Sequence, residues 1–268
     1  MNSVSSKKNK FYLLLDYFGK VKPANFFLFA AIAFQVLYCL VTPPFQAPDE
    51  RNHFFRAYRI AEGSFLPEKT DFRLGGEIPT SFDEFILPFN NASTNFEYKI
   101  DHSDIFNTFK IKPSAEKKFQ DFPNTSYYSP ISYIPQAIAI YVLKKANCSF
   151  GTIYYGGRFF VFIIWLISMF FVIKTLPGYK WLFTVLSLMP MNLFITNSFS
   201  ADTVTVILSF LFLSLLLKLT CSNQKIDKKN ALMIVTIIGF LALAKVVYVG
   251  LVILLFIIPK DNFNSSKQ

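Results

Sequence analysis

Twelve residues beginning at Pro48 hold the densest set of groups able to do chemistry: Asp49 and Glu50, then Arg51, His53, Arg56 and Arg59. Acids at the start of a helix can hold a cation or take up a proton. A histidine one turn beyond Asp49 can orient or ligate, and arginines further along can bind a phosphate. The same spacing also describes a plain helix start, with Pro48 opening it, the acids complementing the helix dipole and the arginines forming an interfacial face. Two more groups stand out by their surroundings. Asp202 is the one charge between Trp181 and Leu217, and Lys245 has only uncharged neighbours from Ala231 through Pro259. A lysine in so apolar a stretch is costly unless it is paired or faces a wet cavity, so an ion pair with Asp202 is the structural alternative to a catalytic role. Asp202 also suits the N-terminus of a following helix, and Arg158 suits snorkelling from the end of its span.

The elements that must position these groups are membrane spans. Of the 268 residues 53% are hydrophobic, with 33 Phe against 10 Gly and a mean hydropathy of +0.38, more apolar surface than a soluble domain of this length buries. The net charge of +10 does not indicate nucleic acid, because the basic residues sit at the edges of apolar runs. Cys39, Cys148 and Cys221 form no CxxC pair and imply no disulfide framework. A bilayer core of about 30 Å takes roughly 20 apolar residues in a helix. That ruler predicts a first span over 24–42, a second over 152–173, a hairpin within 181–217 that turns near Asn197 to Asp202, and a last span over 231–258. The fold class is therefore all-α, a single polytopic membrane domain over 1–268 with about five transmembrane helices. Residues 1–23 form a cytoplasmic N-terminus, 43–151 a large extracytoplasmic first loop, and 152–258 the remaining spans.

Within that loop, 64–121 reads as a loop-rich insert with short helices, broken by Pro67, Gly75, Gly76, Pro79, Pro88 and Pro113. Residues 131–143 are apolar but too short to cross, and read as a helix in the interface. With that helix not crossing, the inner segments carry eleven basic and two acidic residues, whereas 43–151 carries twelve basic and thirteen acidic. This balance obeys the positive-inside rule and places Asp49 and Asp202 on the same, outer face.

Taken in order, several short motifs resemble a widespread bacterial family of uncharacterised predicted membrane proteins. They are Pro48-Asp49-Glu50 with His53 and Arg56-Ala57-Tyr58, the run Tyr127 to Gln136, Gly157-Arg158, Met189-Pro190-Met191, Ser200-Ala201-Asp202, Lys245-Val246-Val247-Tyr248 and Ile258-Pro259-Lys260. That family is similar in turn to the GT-C glycosyltransferases, which move a sugar from a polyprenyl-phosphate carrier on the outer face of a membrane. The resemblance covers the chain from about Ala24, and against it the chain looks C-terminally short. It implies a multi-pass protein of the bacterial cytoplasmic membrane whose partners are membrane lipid and a polyprenyl-phosphate-linked sugar. It further implies that Asp49 is a general base or a metal ligand, with Glu50 and Asp202 as supporting acids and a divalent cation, Mg or Mn, between Asp49 and Asp202. His53, Arg56, Arg158 and Lys245 would bind the substrate. The competing readings are an envelope-lipid transporter or flippase, and a non-catalytic assembly subunit.

Overall fold

A computed structural model describes residues 21–90, 92, 95, 97–221 and 225–263, so the expected cytoplasmic segment 1–23 falls almost wholly outside the described residues. Among the described residues the chain is mostly helical, with one small sheet. Three of the described helices are long and apolar enough to cross a membrane: α1 (Pro23–Val41), α7 (Phe150–Thr175) and α10 (Asp202–Cys221). Between α1 and α7 the chain builds a compact domain on one side of the bundle. Its helices are α2 (Glu50–Ala61), α3 (Phe82–Ile86), α4 (His102–Thr108), α5 (Pro123–Ser126) and α6 (Ile134–Lys145). We call this the loop side.

The loop domain is not all-α. Strands β1 (Glu68–Thr70), β2 (Arg73–Pro79) and β3 (Lys117–Asp121) form an antiparallel sheet in that order, with Gly75 opposite Asp121 and Pro79 opposite Lys117. The glycines that read as loop punctuation serve this sheet. A Cβ on Gly75 would lie 1.9 Å from the Gln120 carbonyl oxygen, and one on Gly76 would meet the Arg59 side chain. Under the sheet lies a cluster of rings, Phe54, Phe55, Phe82, Phe85, Phe122 and Phe150 among them, packed in edge-to-face, tilted and stacked pairs. Such ring pairs add to the apolar burial that holds a domain of this size together.

Helix α6 is 12 residues long, and packs along α2 and the first turns of α7. Gln136 in its first turn donates to the Ser200 carbonyl at 3.0 Å, and Lys144 in its last turn donates to Glu62 at 2.6 Å. It therefore runs beside α2 away from the bundle, exposing Ile134, Ile138, Tyr141 and Val142 on one face. At 26 residues α7 is about 39 Å long, more than a bilayer core, and its first turns belong to the loop domain.

The apolar run 181–217 folds as a hairpin whose turn is 197–201. Its first limb is broken into α8 (Lys180–Ser187) and α9 (Pro190–Thr196) because Pro190 cannot donate to the preceding turn. Asn192 donates to the freed Ser187 carbonyl at 2.8 Å. Gln35 of α1 ties this limb down, donating to the Leu193 carbonyl at 2.9 Å and to Thr196 at 2.7 Å, the polar glue expected between membrane helices.

The stretch 231–258, expected as one span, is two limbs. Helix α11 (Lys228–Ala244) ends where Lys245 turns extended (φ −151, ψ 112), and Val246–Ile257 then returns along α11 as a 3-10 segment. The return is closed at the far side, where Ile226 N donates to Asn262 O at 2.7 Å and the Asn262 amide donates to Leu219 O at 2.6 Å. The tip at Lys245 is thereby delivered to the loop side, where the Ser132 hydroxyl donates to the Ala244 carbonyl at 3.3 Å.

Candidate active site

Helix α2 starts directly above the bundle, and two successive residues at its start face opposite ways. Asp49, the N-cap, sits in the left-handed region (φ 55, ψ 13), a conformation that aspartate tolerates better than most residues, and its carboxylate makes no capping bond. Its side chain is exposed. Glu50 points inward and is buried against Arg158, with contacts of 3.2 and 3.4 Å between guanidinium and carboxylate. The remaining lone pairs of Glu50 accept from Phe199 N at 3.1 Å and Ala47 N at 3.4 Å, and Arg158 also donates to the Thr42 carbonyl at 3.2 Å. A buried, fully hydrogen-bonded pair of this kind holds elements together, here the end of α1, the start of α2, α7 and the 197–201 turn. Arg158 is 1% exposed, while Glu50, equally buried, also contributes to the lining of a cavity at the start of α2. Glu50, expected as a supporting acid, and Arg158, expected as a substrate contact, are thus bound to each other in the structure.

The residues that do converge are His53, Tyr128, Tyr133, Asp202 and Lys245, with Asp49 beside them. His53 Nδ1 lies 2.7 Å from the Tyr133 hydroxyl. Burial pushes the Tyr133 phenol well above its usual range, so it keeps its proton, and it pushes His53 down to about 4. With a neutral imidazole and a protonated phenol, the simplest arrangement has Tyr133 donating to Nδ1 and the imidazole proton on Nε2. The charges of Asp202, Asp49 and Lys245 all reach this ring, the two acids opposing the effect of burial. Tyr128 lies parallel to the imidazole with ring centroids 6.0 Å apart, and Lys245 Nζ sits 5.8 Å from the Tyr128 ring centre.

Asp202 opens α10, and the turn before it is preset by serines: Ser200 N donates to Ser198 Oγ at 3.2 Å and Asp202 N to Ser200 Oγ at 3.1 Å. Its carboxylate pairs with the Lys245 ammonium. This pair is not dry, for the Lys245 and Asp202 side chains keep 29% and 39% of their surface exposed. Arg56, one turn along from His53, is only 2% exposed, and its guanidinium donates to the carbonyls of Phe65 at 2.8 Å and Tyr128 at 3.1 Å. It supports the segment that carries Tyr128, while its Nε is buried without a partner.

Among the described residues no three His, Cys, Asp or Glu side chains stand close enough together to hold a metal ion. Asp49 and Asp202 are two carboxylates, one already paired with an ammonium, and a cation between them would need further oxygens from a substrate phosphate.

Spacing along the sequence singles out Asp49, His53, Asp202 and Lys245 but not Tyr128 and Tyr133, which read as an interfacial anchor. A signal for them lies in the unbroken run Tyr127 to Gln136, which also supplies Ser132 to the Lys245 tip and Gln136 to the Ser200 turn. Gly157 has its own reason: a Cβ there would lie 2.5 Å from the Phe199 ring, whose backbone N–H binds Glu50. Of known proteins, the model of a family described as "Predicted membrane protein (DUF2142)" matches residues 27–268. No curated protein and no solved structure matches the chain.

Proposed function

The chain belongs to the DUF2142 family of predicted membrane proteins, and for it we propose glycosyl transfer from a polyprenyl-phosphate donor to a cell-envelope acceptor, on the outer face of a bacterial cytoplasmic membrane. The observation that carries this reading is the meeting of an unpartnered carboxylate, a neutral imidazole and a solvent-open Asp202–Lys245 pair at one end of the spanning helices. That is where the phosphate of a membrane-anchored carrier lies.

In this reading Asp49 takes the proton from the acceptor hydroxyl as that oxygen bonds to the anomeric carbon. The carbon–oxygen bond to phosphate breaks with its electron pair, and the polyprenyl phosphate leaves with an added negative charge that Lys245 meets. Asp202 holds Lys245 in place before the donor arrives. His53, neutral and oriented by Tyr133, supplies an N–H to the donor's oxygens. Arg56 acts mainly by holding Tyr128. A divalent cation enters only as one carried by the donor phosphate and shared with Asp49 or Asp202.

The experiment is sugar transfer by the purified protein from a series of polyprenyl-phosphate sugars, with and without a chelator. Asp49→Asn keeps size and hydrogen bonding while removing the base. It is expected to lower transfer by about 10²-fold to 10⁴-fold, with a normal protein level in the membrane. Undiminished transfer in this variant overturns the assignment. One observation favours a second reading, transport of an envelope lipid: the broken segment with a charge pair at its tip, the kind of discontinuity that transporters place at their substrate sites. Movement of a labelled lipid between leaflets, without chemical transfer, decides for it.

A further inference from the structure

A cavity on the loop side lies not over the Asp202–Lys245 pair but at the start of α2, between Asp49 and Phe89. It has a volume of about 540 Å³, well within the range of roughly 300 to 1,000 Å³ found for small-molecule sites. Its polar lining includes Gln46, Asp49, Glu50, Arg51 and Asn52, and its apolar wall Phe45 and Phe89.

The chemistry of this lining selects its occupant. Arg51 is exposed and has neither an ion-pair nor a hydrogen-bond partner among the described residues, and the Asp49 carboxylate makes no side-chain hydrogen bond there. Glu50 is already neutralised by Arg158, and the remaining acid and cation, Asp49 and Arg51, leave the cavity without a dominant charge, so a phosphate would face Asp49 and a metal ion would face Arg51. The Asn52 amide donates to the Asn124 side chain at 2.7 Å and is thereby held in a fixed orientation. Fixed amides, one carboxylate and one guanidinium present donors and acceptors together, which suits hydroxyl groups, each of which both donates and accepts. The phenyl wall suits the C–H face of a sugar ring.

We propose that this cavity binds a neutral glycan and is the acceptor's side of the site, with Asp49 standing between it and the Lys245 side. The role as acceptor site rests on the transfer reading above; the binding of a glycan does not. It gives Asp49 a reason for its left-handed backbone, which turns the carboxylate out of the helix end and leaves it at the mouth of the cavity.

The test uses the full chain in lipid nanodiscs with no sugar donor present, so that binding is read without turnover, on an array of neutral and acidic glycans. Selective binding of neutral glycans is expected. Arg51→Ala and Gln46→Ala, which remove exposed or half-buried groups, should each weaken that binding roughly tenfold or more, the scale of a lost charged or well-placed hydrogen bond. Arg73→Ala, on the outer sheet, should leave binding unchanged. Preference for acidic glycans, or binding indifferent to both cavity variants, overturns the proposal. Neutral-glycan binding without transfer from any donor retains the cavity as a glycan site and removes the transferase reading. Transfer whose acceptor KM ignores both variants does the reverse.

Discussion

At the scale of single residues the site depends on groups whose charge state is set by burial. The folded pKa of His53 is depressed to about 4 from 6.5, so the folded chain binds fewer protons at this ring than the unfolded chain between those values. Its contribution is therefore fully present above pH 6.5 and is lost as the pH falls through 4. The shift corresponds to about 3 kcal/mol. Apparent melting temperatures of the detergent-solubilised protein from pH 7 to 4 should fall less steeply for His53→Gln than for the parent, and parallel curves would show that His53 is not buried neutral. Lys245 gives a second residue-scale expectation. Lys245→Met leaves Asp202 half-exposed, so the fold should persist while transfer drops; a chain that no longer reaches the membrane would mark the pair as structural.

Elements are joined at one place above all, the buried Glu50–Arg158 pair. Arg158→Met leaves the Glu50 carboxylate without its counter-ion and should lower stability by roughly 3 to 5 kcal/mol, read as loss of protein from the membrane fraction. Glu50→Leu combined with Arg158→Met removes both charges and should recover much of that loss, which separates a clamp from a substrate contact. Gly157 tests the same junction by shape. In Gly157→Ala the new methyl meets the Phe199 ring and should destabilise by about 1 to 3 kcal/mol, with partial relief from Phe199→Leu in the double variant. Additive losses in that cycle would mean that the two positions do not share the contact.

For the whole molecule the decisive question is how many times the chain reverses. The closure of Ile226, Leu219 and Asn262 puts both ends of the 228–257 segment on the far side. Single cysteines at Lys225 and Asp261, both exposed, in a background without Cys39, Cys148 and Cys221, should therefore react with an impermeant thiol reagent from the same side. Labels at Ser103 and Lys145 should react from the opposite one. Opposite sidedness for positions 225 and 261 would restore a single crossing and would remove Lys245 from the neighbourhood of Asp202. Inverted vesicles give the complementary reading and fix which face is cytoplasmic.

Much of the frame follows from the sequence alone, because apolar length is an additive property: α1, α7, α10 and the turn at 197–201 can be counted off against the thickness of a bilayer. The gathering of Asp49, His53 and Asp202 at one end of the spanning helices follows in the same way. The direction of a side chain is not additive. Glu50 and Asp49 are neighbours in sequence, and only the packing of α2 on α7 sends one into Arg158 and leaves the other exposed. The fold-back at Lys245 is hidden because no proline or glycine stands at the break; the clue was length, since 28 residues would make a helix of about 42 Å. Strands β1 to β3 escape a reading by periodicity because they are three to seven residues long and are defined by partners up to some 50 positions away. Tyr133 joins the candidate site for the same reason: its place beside His53 is a contact across 80 residues, which tertiary packing makes and local sequence does not encode.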